Sequence, residues 1–433
     1  MEINIQQVMK RTALLAAAVL ILAGASCGKV SYEDDVENPD TEVDDSDQNA
    51  EIPDDNPLKK LDLNTRSEAF VQQGKSFAFD FIRRVNEVQE ESFIVSPLSM
   101  QFLLGMVLDG AQGETADEIC RVLGYEAGDS QAADEFASTL LEQLPALDKL
   151  TTLSIGNAVF ANQSYPILDS YRSRVSQYYD AELSNLDFTD IGLATNQIND
   201  WCSDRTNGLI PKVLDRVDPA VLAYLMNALY FKGQWQEKFP AEATANETFV
   251  DEKGKESTVP MMKNHRLFPF QENDVFSAVR LPYGNGAYQM TVILPQKGKV
   301  IQDAVSFLDA HGWSESPDRW SKREVDVWLP KFETKFHIDL NQLLREMGMP
   351  TAFDELKADF RAMSAQALFL SQVMQDAVIK VDEEGTEAAA VSTGFMETSL
   401  PQYTMFHADH PFLYLITESS TGAILFAGKF SGQ

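Results

Sequence analysis

The sequence predicts an α+β fold, and three observations carry that expectation. Apolar residues recur at helical spacing through the front half of the chain. Alternating or continuous apolar runs, punctuated by Pro and Gly, fill the rear half, as strands require. The chain has 433 residues, 44% of them apolar and 10% aromatic, which suits a globular protein with a substantial core. Helices in front and strands behind, with no internal repeat, separate this pattern from the regular alternation of a parallel α/β sheet. A net charge of −31 without any basic run argues against nucleic-acid binding.

The first residues read as a targeting signal. Lys10 and Arg11 precede the apolar run Ala13–Ala25, which is too short to span a bilayer comfortably. Gly24-Ala25-Ser26-Cys27 follows and resembles the bacterial lipobox, with Gly24 where that motif usually has Leu. The resemblance implies a lipoprotein signal peptide over residues 1–26 and a lipidated Cys27. Simple cleavage by a general signal peptidase, with Cys27 incidental, is the plainer alternative. Residues 27–60 are then an acidic tether: twelve acids lie between Glu33 and Asp55, with hardly any aliphatic bulk. Such a segment cannot bury enough apolar surface to offset its ordering entropy, and self-repulsion extends it. It serves as a solvated spacer, as a surface-export signal, or as both.

Ordered sequence is expected from Leu61. Phe70, Phe77, Phe81 and Ile82 mark a first helix. Residues 92–124 read as a helix started by Ser-Pro, a Gly-rich turn and a second helix. Leu153–Val159 and Ala223–Phe231 read as buried strands, and Phe249–Met262, Ala278–Leu294 and Glu324–Phe332 as further strands. Residues 338–347 look helical, and residues 411–430 form two strands around a turn at 418–422. Cys120 and Cys202 could form a disulfide in an exported protein, but their helix-like surroundings favour buried free thiols. Neither has a nucleophile's context, no CxxC or HExxH signature is present, and the GxSxG match at residues 24–28 lies at the end of the targeting signal. No metal, cofactor or catalytic group is expected. The histidines, at 265, 311, 337, 407 and 410, are read as structural or exposed.

One stretch resists this plain reading. After the apolar run Ala377–Val381 comes Asp382-Glu383-Glu384-Gly385-Thr386-Glu387-Ala388-Ala389-Ala390, then Val391-Ser392-Thr393-Gly394. As a strand, one face would carry Thr386, Ala388, Ala390, Ser392, Gly394 and Met396, all uncharged and nearly all small. The other face would hold Glu387 and Glu397. That pattern suits a segment able to slot between existing strands over a crowded core while its charges stay in water. An exposed Ala-rich loop is the simpler alternative.

This stretch resembles the reactive-loop hinge of the serpins. FIVSPLSM (93–100), GAQGETADEI (110–119), NALYFKGQW (227–235), VPMMK (259–263), LPKF (329–332), DHPFLYLI (409–416) and GAILFAGKF (422–430) resemble further blocks of that family in the same order. The resemblance spans residues 61–433. It implies three β-sheets, about eight or nine helices and an exposed reactive-centre loop at about 383–405, with the hinge at Glu383, Gly385, Thr386, Glu387, Ala388, Ala389 and Ala390. It implies a suicide inhibitor rather than an enzyme. A target endopeptidase forms an acyl-enzyme on the loop, and the cut loop enters the large sheet as a new strand. Counting fourteen residues from Gly385 places the reactive bond at Ser399–Leu400, with Thr398 and Met396 as alternates. These residues suit elastase-, subtilisin- or chymotrypsin-like serine proteases, and papain-like cysteine proteases are also within the family's reach. Ser96, Ser99 and Asn227 match the polar shutter, and Trp235 matches the aromatic beneath the start of insertion. Gln375 stands where the family commonly has His, so a pH response there is lost.

The expected protein is therefore a monomeric inhibitor, exported and lipid-anchored at the bacterial outer membrane, with no nucleic-acid partner. The competing expectation is a non-inhibitory binding or chaperone-like protein of the same fold. Small inward hinge residues favour the inhibitor.

Overall fold

The computed structural model describes residues 55–312, 319–386 and 404–432, all within one compact unit spanning 48–433. Helix α1 (Thr65–Val88) starts at Asn64, whose side chain accepts from Ser67 N. Its buried stripe, Phe70, Phe77, Phe81, Ile82 and Val85, is the periodicity seen in the sequence. Strand β1 (Phe93–Val95) leads to α2 (Pro97–Gly110), which has Pro at its first turn and Ser96 as cap. Helix α2 is buried almost all round, which explains its uninterrupted apolar run. Helix α3 (Gly113–Leu123) ends at Gly124 in the left-handed region (φ 73°). Helix α4 (Ser130–Gln143) and strand β2 (Thr151–Asn162) follow, then α5 (Asp169–Tyr179), β3 (Ala181–Leu186), α6 (Ile191–Arg205) and β4 (Ala223–Gln234).

The rear half holds most of the strands. These are β5 (Ala245–Val250), β6 (Glu256–Glu272), β7 (Phe276–Tyr283), β8 (Tyr288–Pro295), β9 (Ser321–Pro330), β10 (Phe332–Asp339), β11 (Gln372–Asp382), β12 (Gly385–Thr386), β13 (Thr404–His407), β14 (Phe412–Glu418) and β15 (Ile424–Phe430). Helices α7 (Ile301–His311) and α8 (Asn341–Met347) interrupt them. The run expected as one strand over Ala278–Leu294 is a hairpin, turned at Gly284-Asn285-Gly286. Residues 338–347 contain the end of β10 as well as α8.

Among the described residues there are eight α-helices and two hydrogen-bonded sheets. The larger is nine-stranded, and β6 explains why two of the three implied sheets appear as one. Up to residue 270 this 17-residue strand pairs with β5 and β9, while residues 270–272 pair with β7. Its two ends thus belong to two layers, one containing β13 and the other β8, β14, β15 and β1. The smaller sheet runs β10-β11-β12-β4-β2-β3. Phe231 of β4 meets Tyr283, Tyr288 and Phe426 of the large sheet edge-on, which fixes the two sheets face to face.

The folded body begins before Leu61. Asn56 is 2% exposed and hydrogen-bonded, so at least residues 55–60 belong to the body rather than to a free tether. The acidic composition of that stretch concealed one buried amide. Cys120 and Cys202 are free thiols, the first half-buried and the second buried, and burial pushes the Cys202 thiol up to about 12.

Candidate functional site: a part-open sheet and its hinge

The six-stranded sheet is zipped at one end only. Strands β11 and β4 pair in parallel from Gln372 and Tyr224 to Asp376 and Ala228. Beyond that point no ladder joins residues 377–380 to 229–232 among the described residues. At the far end β12 fills the gap. Gly385 and Thr386 pair with Asp382 and Val381 on one side and with Gln234 and Gly233 on the other, antiparallel to both. Gly385 and Thr386 thus already occupy the position of a central strand.

The turn from β11 into β12 is held by backbone and side chains together. Glu384 N donates to Asp382 Oδ1 (3.1 Å), Trp235 N to Glu384 O (2.8 Å), and Phe239 N to Glu383 O (3.0 Å). The indole Nε1 of Trp235 donates to Asp382 O (2.8 Å). Lys331 Nζ reaches Glu383 Oε2 (2.8 Å), Thr244 donates to Glu383 Oε1 (2.9 Å), and Lys238 Nζ lies 2.5 Å from Glu384 Oε2. Burial alone would raise the Glu383 carboxyl, but Lys331 and Thr244 outweigh it and hold the group below the usual carboxylate range. Asp382 goes the other way, because burial dominates there.

Gly385 has no tolerable substitute in this arrangement. Its φ is +151°, and a Cβ would lie 2.1 Å from Gly233 O. Thr386 is 1% exposed, and its hydroxyl sits 2.8 Å from the Tyr283 hydroxyl. Tyr283 in turn stacks on Trp235, with centroids 4.4 Å apart and planes at 12°. The floor under Thr386 is therefore aromatic and buried, with one hydroxyl to meet its own.

The zipped end carries the other predicted residues. Gln375 makes two bonds to one residue: its Oε1 accepts from Ser96 N (2.9 Å) and its Nε2 donates to Ser96 O (3.0 Å). The Ser96 hydroxyl donates to Leu425 O (2.6 Å) and lies 3.0 Å from Ser99 Oγ. Asn227 is the register partner of Gln375, but its amide turns away, donating to Asn157 Oδ1 (2.9 Å) and Gly156 O (3.2 Å). The predicted polar group is thus two groups, Ser96–Ser99–Gln375 and Asn227–Asn157. A Gln can hold the first together because a single amide both donates and accepts.

Of the predicted site residues, Glu383, Gly385, Thr386 and Trp235 come together at the open end, and Ser96, Ser99, Gln375 and Asn227 at the closed end. Glu387, Ala388, Ala389, Ala390, Met396, Thr398, Ser399, Leu400 and Cys27 lie outside the described residues. Sequence reasoning missed Lys238, Lys331, Thr244, Tyr283 and Asn157. A charge-complementarity search against Glu383 and Glu384 could have nominated the lysines, whereas nothing local marks the other three.

The serpin (serine protease inhibitor) family profile matches residues 72–432. The chain belongs to the serpin family. Serpin B6 of Pongo abelii is 32% identical, over 84% of this chain and 99% of that protein. Leukocyte elastase inhibitor of Xenopus laevis is 33% identical, over 82% of this chain and 97% of its own length. Among solved structures, thyroxine-binding globulin in complex with thyroxine superposes with a TM-score of 0.76 at 27% identity, covering 83% of this chain and 98% of that one. Serpins are mostly protease inhibitors rather than enzymes, and proteases are their partners. The fold of this chain is that of a serpin.

Proposed function

We propose that this serpin inhibits serine endopeptidases by completing the strand that β12 begins. Cleavage beyond the hinge frees residues 386 onward, and these enter the gap between β11 and β4. Fifteen residues at strand rise span roughly 50 Å. The acyl-enzyme is carried that distance, its catalytic geometry is lost, and deacylation stalls. The observation that supports this most directly is the sheet itself: Gly385 and Thr386 sit between two strands that no ladder joins over residues 377–380 and 229–232 among the described residues. Uncharged inward positions at Ala388, Ala390 and Ser392 agree with it. A binding protein of the same fold needs no such run.

The count from Gly385 sets the reactive bond at Ser399–Leu400, which suits elastase- or subtilisin-like pockets. Phe395, Met396 and Leu400 extend the range to chymotrypsin-like enzymes, and papain-like cysteine proteases complete the panel. Incubation with these proteases is expected to give an SDS-resistant covalent complex and a C-terminal fragment beginning at Leu400. Clean cleavage without a complex would point to the non-inhibitory alternative. A fragment starting outside residues 397–402 would show the count to be wrong. The same reading places the protein at the bacterial outer membrane through a lipid on Cys27. Fractionation of cells carrying Cys27→Ser tests that, and unchanged membrane association would reject it.

A further inference from the structure

The chain just ahead of α1 crosses the end of the molecule where the hinge enters the sheet. Thr151, the first residue of β2, pairs with Gly233, and Gly233 pairs with Thr386. Three residues before Thr151 stands Asp148, 3% exposed, which takes the Thr151 hydroxyl on Oδ2 (2.6 Å) and Leu150 N on Oδ1 (3.0 Å). Asn56 Nδ2 donates to the same Oδ1 at 2.7 Å. The Asn56 carbonyl oxygen Oδ1 accepts from Lys149 N (3.1 Å) and from Asn285 Nδ2 (3.3 Å). Asn285 belongs to the β7–β8 turn of the other sheet; its amide donates to Leu147 O (2.8 Å) and shares its second N–H between Asn56 Oδ1 and Pro57 O (3.1 Å). One buried amide thus fastens the start of β2 to the turn of the nine-stranded sheet. Outer bonds extend the contact: Lys59 Nζ to Ala146 O, and Asp62 to Gln143 in both directions.

Adding a strand between β11 and β4 widens the sheet by one strand spacing, about 4.8 Å. One half of the sheet must shift over the layer beneath. Strands β10 and β11 are pinned to that layer by Gln375 on Ser96 and by Phe332 against Phe412, Tyr414 and Phe430. The half that must slide is then β4-β2-β3, which meets that layer through the Phe231 aromatic contacts and the Gly284 N–Gln234 O and Gln236 N–Pro282 O bonds at the end of β4, and Asn56 adds a tie at its leading end. We propose that residues 55–62 are a strap that restrains sheet opening, with Asn56 as its buckle, so that the segment leading into the fold sets the rate of strand insertion. This rests on the insertion mechanism proposed above. It assigns Asn56 a positioning role and no contact with the protease.

The test is annealing of a synthetic peptide of residues 386–399 to the intact protein, read as the rate at which a heat-resistant species appears. Asn56→Ala and Asn285→Ala are each expected to anneal faster, on the order of tenfold, as loss of one or two buried hydrogen bonds implies. The double variant should gain little beyond either single one, because both break the same bridge. Leu308→Ala, in the core of α7 away from the strap, lowers stability without touching the bridge and should leave the annealing rate near that of the natural chain. Equal rates for Asn56→Ala and the natural chain would overturn the strap. So would acceleration by Leu308→Ala as large as by Asn56→Ala, since general loosening would then suffice. If the natural chain never anneals the peptide, the insertion mechanism itself fails, which is a separate outcome.

Discussion

At the scale of single residues, each position of the proposed hinge meets a different demand. Gly385 must pass within contact distance of Gly233, Thr386 must fit a buried floor with one hydroxyl partner, and Glu383 must be held by Lys331. Thr386→Arg puts a charge where only Tyr283 and Trp235 wait. Burying an ionised group without a counter-charge costs several kcal/mol, so this strand should stay out of the sheet. The variant is expected to be cleaved as a substrate, with loss of nearly all covalent complex on a gel. Persistent trapping by Thr386→Arg would mean that the buried seat of residue 386 is not needed for strand insertion. Gln375 shows a quieter departure. It holds Ser96 by two neutral hydrogen bonds, so the closed end of the sheet has no titrating side chain at that position.

At the scale of elements, three helices behind the β2–β3 half share a polar cluster that no motif announced. Asp109 ends α2, Asp134 lies in α4, and their side chains are each 1% exposed. Arg174 of α5 lies 2.9 Å from Asp109 and 2.5 Å from Asp134, Ser130 donates to Asp109 (2.7 Å), and the Tyr179 hydroxyl donates to Asp134 (2.9 Å). One cation cannot offset two buried carboxylates, so the pair shares a proton. Burial first, and the Asp109 charge second, push the Asp134 carboxyl up to about 8. The folded form therefore holds a proton that the unfolded chain releases near pH 4. Its stabilising effect is complete below that pH, declines as pH rises, and is spent above about 8. Asp134→Asn should flatten the fall in urea midpoint between pH 5 and pH 9 relative to the natural chain. Identical pH profiles for the two proteins would contradict the shared proton.

Elements also show where the sequence was readable. Helix α1, helix α2 and the strands β2, β4 and β9 announced themselves through periodicity and Pro or Gly boundaries. Helices α4, α5 and α6 carry weaker apolar stripes and passed largely unmarked. The hinge was legible because Asp382 to Ala390 is a contiguous motif. Its clasp was not, since Lys238 and Thr244, Tyr283, and Lys331 are brought in by three separate parts of the chain. Asn56 escaped notice for a related reason: a single buried amide in an acidic stretch leaves no compositional trace.

At the scale of the whole molecule, the fold stores an unfinished sheet. Strands β11 and β4 are joined at one end by a ladder and at the other by a two-residue strand, with a strap of the preceding chain across the open end. Every added residue would gain ladder bonds to β4 and β11 and cover apolar side chains below. The cut molecule should thus be far more stable than the intact one, although no covalent bond has been gained. Differential scanning calorimetry of the protein before and after limited cleavage within residues 397–402 measures this directly. The melting temperature is predicted to rise by at least about 10 °C, the shift that about 8 kcal/mol gives a domain of this size. An unchanged or lower melting temperature after cleavage would contradict strand insertion.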